Sequence, residues 1–283
     1  MNTPDFSEDN GLVEPSHLYE LLHQNTRNLK VIDATYRTGE DGLPADLAFI
    51  KSRIDNAVRF DIDDIADLSA PLAHTAPSPD FFGEKVSQLG ISNEDRIVVY
   101  DQTGIFMAAC RAWWLFKLFG HEKVWVLNGG LPAWKAEGFP LNNAPAITPE
   151  AATFEVTAHK ANMLYSLQDI KENIESAAAK LIDARAEKRF GNKSCDSGCR
   201  TDTGHIPGSL NLPFMNIIDP HTKKMITSDR VEDFFKTVGV TPSEKAVFTC
   251  GSGVTACVLA LSAYNAGQKN PAVYDGSWTE WSM

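Results

Sequence analysis

The chain has 283 residues, of which 43% are hydrophobic, and it carries a formal net charge of −11. This length is typical of about two compact domains, each with its own core. The acidic balance argues against sequence-independent nucleic-acid binding and against a polybasic membrane contact, both of which need a basic surface. We therefore expect neither nucleic acid nor membrane as a partner.

The sequence also limits the expected compartment. No apolar run approaches the roughly 20 residues of a membrane span. The first ten residues are acidic and polar, and they resemble neither a secretory signal nor an Arg-rich presequence. The 5 cysteines are an odd number without secretory context, which predicts reduced thiols and not a disulfide framework. We expect a cytoplasmic protein, with a trimmed mitochondrial presequence as the alternative.

Two similar halves appear in chain order, offset by about 150 residues. The segment Val31–Ala34 resembles Leu181–Ala184, and Arg96–Tyr100 resembles Lys245–Thr249. Each half alternates short apolar strands with helical stretches, which favours a mainly parallel sheet covered by helices. The sequence therefore predicts an α/β protein with two copies of one unit. We assign residues 1–142 to the first domain, 143–160 to a linker and 161–283 to the second domain.

Two helices are predicted at corresponding places in the halves. The first is Met107–Phe119, whose tryptophans are expected in the core, and the second is Gly253–Asn265. Gly267 is the expected C-cap glycine of the second helix. The segment Pro140–Ala161, rich in proline, alanine and asparagine, supplies the linker.

A cysteine stands between a strand and a helix in the second half. Cys250 follows the apolar strand Ala246–Thr249 and precedes a loop of small residues, Gly251 to Thr255. Unpaired N–H groups in the first turn of a helix favour negative charge. They lower a thiol pKa from about 8.5 toward neutrality, so that the thiolate becomes a nucleophile. At the equivalent place in the first half stands Asp101, which cannot act as a sulfur nucleophile, so we expect that copy to be catalytically silent.

Several motifs resemble those of the tandem-domain rhodaneses, and among them the 3-mercaptopyruvate sulfurtransferases. The resemblance covers residues from about Leu12 to the C-terminus. The motifs that carry it are Phe60–Asp63, Arg111–Trp114, Gly129–Leu131, Gly204–Gly208, Cys250–Cys257 and Tyr274–Trp281. Thiosulfate-type members tend to carry basic residues where Gly251 and Ser252 stand here.

The resemblance implies two rhodanese-like domains with one active site, built mostly by the second. It implies that Cys250 attacks the sulfur of 3-mercaptopyruvate, that pyruvate leaves, and that a persulfide remains on the cysteine. The loop N–H groups from Gly251 through Thr255, including those of Gly253 and Val254, are expected to hold the persulfide. Thioredoxin, a small thiol or cyanide is the expected acceptor, and neither cofactor nor metal is expected.

Other roles are carried over one residue at a time. Arg189 matches an arginine that grips the substrate carboxylate. Ser252 matches a loop serine proposed to act with an aspartate and a histidine of the first domain, whose positions correspond to Asp63 and His74. Such a set polarises a hydroxyl for proton transfer. The alternative for His74 is a solvated loop histidine, and the alternative for Asp63 is a turn or cap residue.

One stretch departs from the family pattern. A second substrate arginine is usual about nine residues beyond the position of Arg189, but here Arg200 lies two positions too far and Lys193 is a weaker substitute. Cys195 and Cys199 flank the same loop, where they either form a disulfide that gates activity or remain two reduced thiols. A zinc site is disfavoured because it needs four ligands and only His205 is close.

Three other functions remain as alternatives. A thiosulfate sulfurtransferase is the nearest enzyme. A non-catalytic rhodanese-like binding or regulatory module is the alternative of another class. A phosphatase of the Cys-x5-Arg type shares the loop, but Ala256 stands where its arginine is required.

Overall fold

The computed structural model describes residues 10–24, 26–146, 148–191, 194–198, 202–241 and 244–283. Two sheets of the same design form its two halves. In the first half, strands and helices alternate along the chain as β1 Leu12–Val13, α1 Pro15–His23, β2 Leu29–Asp33, α2 Ala45–Lys51, β3 Ala57–Arg59, α3 Pro79–Gln88, β4 Arg96–Tyr100, α4 Met107–Leu118, β5 Val124–Leu127 and α5 Gly130–Ala136.

The second half repeats the alternation with a few additions. Its elements are β6 Leu164–Tyr165, α6 Leu167–Ser176, β7 Lys180–Asp183, α7 Glu187–Phe190, β8 Leu210–Asn211, α8 Ser228–Thr237, β9 Ala246–Thr249, α9 Ala256–Asn265, β10 Ala272–Tyr274 and α10 Ser277–Trp281. Short 3₁₀ helices occupy Ala161–Met163 and Phe214–Ile217.

The two sheets have the same strand order. It is β1-β5-β4-β2-β3 in the first and β6-β10-β9-β7-β8 in the second, and each neighbouring pair is parallel. The central strands are buried on both faces, as expected for a parallel sheet covered by helices. The prediction of two repeated α/β units is therefore confirmed.

Helices α4 and α9 pack side by side and join the two halves. Near their C-terminal ends, Nζ of Lys117 lies 5.0 Å from the centroid of the Tyr264 ring. Near their N-terminal ends, Arg111 of α4 approaches Gly253, just before α9. The two helices therefore run in the same direction, which brings the carboxyl edges of both sheets to one side of the molecule. Trp113 and Trp114 are fully buried, as predicted.

The second predicted helix begins later than expected. Residue 253 has a φ of +76°, which lies in the left-handed region, so α9 starts only at Ala256. It ends at Asn265, with Ala266 as its C-cap and Gly267 one position beyond, at a φ of +98°. The late start leaves residues 251–255 as a loop between β9 and α9.

Candidate active site

Cys250 lies at the carboxyl end of β9 and is 2% exposed. Its N–H donates to the hydroxyl of Ser277 over 3.2 Å, and its carbonyl accepts from the N–H of Trp278 over 3.0 Å. The next carbonyl, of Gly251, accepts from the N–H of Thr279 over 3.0 Å. Helix α10 therefore fixes the backbone at the start of the loop from the side opposite α9.

The loop after Cys250 presents a row of free N–H groups. Within the described part of the chain, no acceptor takes a hydrogen bond from the N–H groups of residues 251–255. Val254 is buried and Thr255 half-buried at the start of α9. Unpaired N–H groups beside a helix N-terminus form an anion-binding concavity. The loop can therefore stabilise negative charge next to the sulfur.

The equivalent loop of the first half is already filled. The carboxylate of Asp101 accepts from the N–H of Thr103 over 2.9 Å and from that of Gly104 over 2.6 Å. Burial raises the pKa of Asp101, while these hydrogen bonds act against the rise. The first copy of the loop thus binds its own side-chain carboxyl group, whereas the second copy has a thiol there and leaves its donors open.

A glycine is required at residue 253 because neighbouring groups approach closely. A Cβ on Gly253 would lie 2.7 Å from the carbonyl oxygen of Asp275 and 3.4 Å from Nη1 of Arg111. Its φ of +76° adds strain for any residue with a Cβ. Gly251 is less constrained, since a Cβ there would lie 3.5 Å from the nearest atom, Nη2 of Arg189.

Arg189 of α7 is the cation beside this loop. Its side chain is exposed, and it makes no ion pair within the described residues. A planar guanidinium suits a carboxylate, which it can bind through two parallel hydrogen bonds. The structure therefore brings Arg189 to the Cys250 loop, and its role in binding the substrate carboxylate stays a prediction. Arg200, Lys193 and Cys199 lie outside the described residues.

An ion pair across the two halves supports the loop. Nη2 of Arg111, from α4, lies 2.7 Å from Oδ1 of Asp275, which follows β10. The same guanidinium donates to the carbonyl of His74 over 2.5 Å, and Oδ2 of Asp275 accepts from the N–H of Ala76 over 2.7 Å. Both charged residues lie within family motifs, but the motifs predict no role for either of them. Their burial becomes evident only when the halves are docked.

Asp63 and His74 lie together, but Ser252 does not join them. Nδ1 of His74 is 2.9 Å from Oδ1 of Asp63, although the contact lacks the alignment of a regular hydrogen bond. Nε2 of His74 lies 3.2 Å from the hydroxyl of Tyr36, a residue that sequence analysis missed. Within the described residues, Ser252 makes no hydrogen bond to His74. Burial lowers the pKa of His74, with the charges of Arg111 and Arg37 acting in the same direction and Asp63 opposing them.

A second buried pair stands beside Cys250. Arg185 donates through Nε and Nη2 to the carboxylate of Asp183 over 2.6–3.0 Å, and it lies 4.5 Å above the ring of Trp278. Asp183 is paired in register with Thr249, the residue before Cys250. This pair anchors α10 to the end of β7. No distinctive spacing in the sequence marks it.

The thiols divide into two groups. Cys110, Cys250 and Cys257 are free and buried. Cys195 is disulfide-bonded, so the expectation of reduced thiols throughout the chain is wrong at this position. Burial raises the pKa of Cys257 to about 12, which makes it a poor nucleophile and agrees with its expected place in the core.

A cavity of about 790 Å³ lies at the opposite edge of the sheets, at the ends of α4 and α9. Its buried Lys117 pairs with Glu122, as does Lys160, so much of its charge is already compensated. In the described part of the chain, no cluster of three or more His, Cys, Asp or Glu side chains is placed to hold a metal ion. No described helix combines the length and apolar character needed to cross a membrane.

Comparison with known proteins agrees with this geometry. Residues 14–137 and 166–283 each match the model of the rhodanese-like domain. "Thiosulfate/3-mercaptopyruvate sulfurtransferase 2" of Arabidopsis thaliana is 36% identical, over 95% of this chain and 84% of its own length. "Thiosulfate sulfurtransferase" of Rattus norvegicus is 38% identical, over 90% of this chain and 85% of its own.

A solved structure matches over nearly the whole chain. It is the crystal structure of SseA from Escherichia coli, described as a 3-mercaptopyruvate sulfotransferase. It superposes with a TM-score of 0.82 at 30% identity, covering 96% of this chain and 100% of the other. The two matched domains, the shared fold and these relatives show that the chain belongs to the rhodanese family.

Proposed function

We propose that this chain is a sulfurtransferase that takes the sulfur of 3-mercaptopyruvate onto Cys250 and passes it to a thiol acceptor. The observation that carries the proposal is the buried thiol followed by five N–H groups without acceptors among the described residues. These donors suit the negative charge of a cysteine persulfide. The names of several relatives, which specify 3-mercaptopyruvate or thiosulfate, support the reaction class.

The first half-reaction forms one bond and breaks another. The Cys250 thiolate attacks the substrate sulfur, the S–S bond forms, and the C–S bond breaks with its electrons leaving on the pyruvate enolate. The proton lost by the substrate thiol balances the proton that the enolate carbon gains. Arg189 binds the carboxylate throughout, and residues 251–255 hold the persulfide. We keep Asp63, His74 and Ser252 as proposed catalytic residues, with Ser252 acting from the Cys250 loop and not through a hydrogen bond to His74.

The second half-reaction regenerates the free enzyme. A thiolate attacks the outer sulfur of the persulfide, and Cys250 leaves as a thiolate. Thioredoxin and small thiols are the proposed acceptors, with cyanide as an assay acceptor, and further reduction releases hydrogen sulfide. We propose the cytoplasm as the compartment, with the mitochondrion as the alternative suggested by the name of one relative.

Thiosulfate is the second candidate donor because relatives named for it are about as similar as those named for 3-mercaptopyruvate. The neutral pair Gly251 and Ser252 favours the mercapto acid, since a doubly anionic donor suits a more basic loop. The two domains remain proposed as 1–142 and 161–283 with a linker at 143–160. The Asp101 carboxyl group in the first loop supports a silent first domain.

Steady-state kinetics with both donors test the proposal. We expect kcat/KM for 3-mercaptopyruvate to exceed that for thiosulfate by tenfold or more. Cys250→Ser should abolish turnover of both donors, whereas Cys110→Ala, at a buried thiol of α4, should retain it. A preference for thiosulfate would select the second candidate. Turnover in Cys250→Ser would contradict the mechanism, and no turnover by the wild type would favour a binding module.

A further inference from the structure

Both ring nitrogens of His74 already have a neighbour. Nδ1 faces Oδ1 of Asp63 at 2.9 Å, and Nε2 faces the hydroxyl of Tyr36 at 3.2 Å. The Tyr36 ring stands edge-on to the imidazole, with centroids 5.2 Å apart and planes at 84°. A carboxylate beside Nδ1 favours the tautomer with its proton on that nitrogen. Nε2 is then an acceptor, and the Tyr36 hydroxyl donates to it.

The position of His74 is fixed from several sides. Its side chain is 7% exposed, and its backbone adopts a φ of +64°, which is uncommon for a residue with a side chain. Its carbonyl accepts from Nη2 of Arg111 over 2.5 Å. Nη1 of the same guanidinium would lie 3.4 Å from a Cβ built on Gly253, so one side chain holds the His74 backbone and lies beside the Cys250 loop. A ring held in this way has little freedom to turn from Tyr36 toward another hydroxyl.

Burial shifts both groups toward their neutral forms. Burial lowers the pKa of His74, helped by Arg111 and Arg37 and opposed by Asp63 and Asp275. Burial also raises the pKa of Tyr36, and Asp63 and Asp61 add to the rise while Arg37 opposes it. A neutral imidazole accepts a hydrogen bond at Nε2, and a protonated phenol supplies one. The charge states therefore agree with the geometry.

We propose that Tyr36, and not Ser252, is the hydroxyl partner of the Asp63–His74 pair. Tyr36 is a positioning residue that holds the neutral imidazole with Nε2 as its acceptor. The catalytic purpose of this contact rests on the proposed function. In that reaction, one proton moves from the substrate sulfur to the carbon of the departing pyruvate. The Tyr36 hydroxyl takes part in no bond change of that step and only keeps the imidazole neutral, so no other reactant is required.

Removal of the Tyr36 hydroxyl tests this assignment. A hydrogen bond to the neutral imidazole stabilises that form, so Tyr36→Phe should raise the pKa of His74 by about half to one unit. NMR titration of the imidazole, assigned with His74→Gln, measures the shift without any substrate. The acid limb of kcat/KM for 3-mercaptopyruvate should move to higher pH by the same amount. Ser252→Ala should leave the His74 pKa unchanged.

Two further variants separate this effect from a general disturbance. Asp63→Asn removes a charge that favours the imidazolium, so it should lower the His74 pKa, the opposite direction to Tyr36→Phe. Tyr19→Phe, whose ring stacks on His23 away from the site, should leave it unchanged. An unchanged His74 pKa in Tyr36→Phe, or a shift in Ser252→Ala of the size expected for Tyr36→Phe, would overturn the assignment. Since the NMR titration needs no turnover, failure of the sulfur-transfer activity would be recognised separately.

Discussion

Nη2 of Arg111 lies 2.7 Å from Oδ1 of Asp275, and the two side chains come from different halves of the chain. Arg111 is 1% exposed and the side chain of Asp275 10%. Through this pair, α4 of the first half supports the loop that follows Cys250 in the second. The first half thus contributes to the site, although Asp101 stands where the second half has Cys250.

Removal of one partner from this pair should destabilise the fold. Asp275→Asn leaves the buried guanidinium without its counter-charge, so we expect the free energy of unfolding to fall by about 3–5 kcal/mol. Urea unfolding measures it. Asp41→Asn, which breaks an exposed pair with Lys51, serves as the control and should have a much smaller effect. Equal losses in the two variants would contradict a structural role for the inter-domain pair.

Two glycines of the same loop should respond differently to alanine. Gly253→Ala forces a Cβ against the Asp275 carbonyl in a left-handed conformation, which costs about 1–2 kcal/mol before any clash. We also expect at least a tenfold loss of sulfur transfer. Gly251→Ala meets only the flexible end of Arg189, so its unfolding free energy should change less. The comparison uses urea unfolding, and a larger loss for Gly251→Ala would refute the loop geometry.

Arg189 should affect binding of the substrate more than the chemical step. Arg189→Gln removes a charge-assisted hydrogen bond worth about 1.5–3 kcal/mol, so we expect KM for 3-mercaptopyruvate to rise at least tenfold with a smaller change in kcat. Lys188→Gln, at the exposed neighbouring position, is the matched control for loss of one positive charge. If both variants raised KM equally, a general electrostatic effect would replace the proposed contact.

His121 should make the protein less stable in mild acid. Burial lowers its pKa to about 4 from the ordinary 6.5, and it packs among Phe116 and Phe154. The neutral ring's contribution is complete above about pH 6.5 and is lost as pH falls toward 4, because the unfolded chain binds the proton first. The loss amounts to about 3 kcal/mol.

Unfolding of His121→Gln at several pH values checks this prediction. Its free energy of unfolding should fall less steeply than that of the wild type as pH decreases from neutral. His23→Gln, at an exposed position of α1, should follow the wild-type curve. Parallel curves for wild type and His121→Gln would show that other groups cause the acid sensitivity.

The sequence was most informative where local pattern decides the structure. Strands Arg96–Tyr100 and Ala246–Thr249 appear with the predicted bounds, because continuous apolar runs are typical of buried parallel strands. The predicted start of α9 was wrong by three residues, since Gly253 has a left-handed φ and a Cβ there would meet Asp275 and Arg111. The sequence pattern contains no sign of those contacts.

At the candidate site, too, local sequence patterns predicted the residues but not the contacts between distant segments. Family motifs indicated Cys250 and Arg189 as site residues, and the structure places Nη2 of Arg189 3.5 Å from where a Cβ on Gly251 would lie. The contact between Tyr36 and His74 joins two first-domain loops 38 residues apart, and no motif links them. The Arg111–Asp275 pair likewise depends on how the two halves dock. Sequence patterns therefore did not predict the contacts between loops or between domains.

The most direct test of the central claim is mass spectrometry of the protein after brief exposure to 3-mercaptopyruvate without an acceptor. The account predicts a gain of one sulfur atom on the peptide that contains Cys250, released by a small thiol and absent from Cys250→Ser. Intact wild-type protein that gains no sulfur, or gains it on another cysteine, would contradict the account.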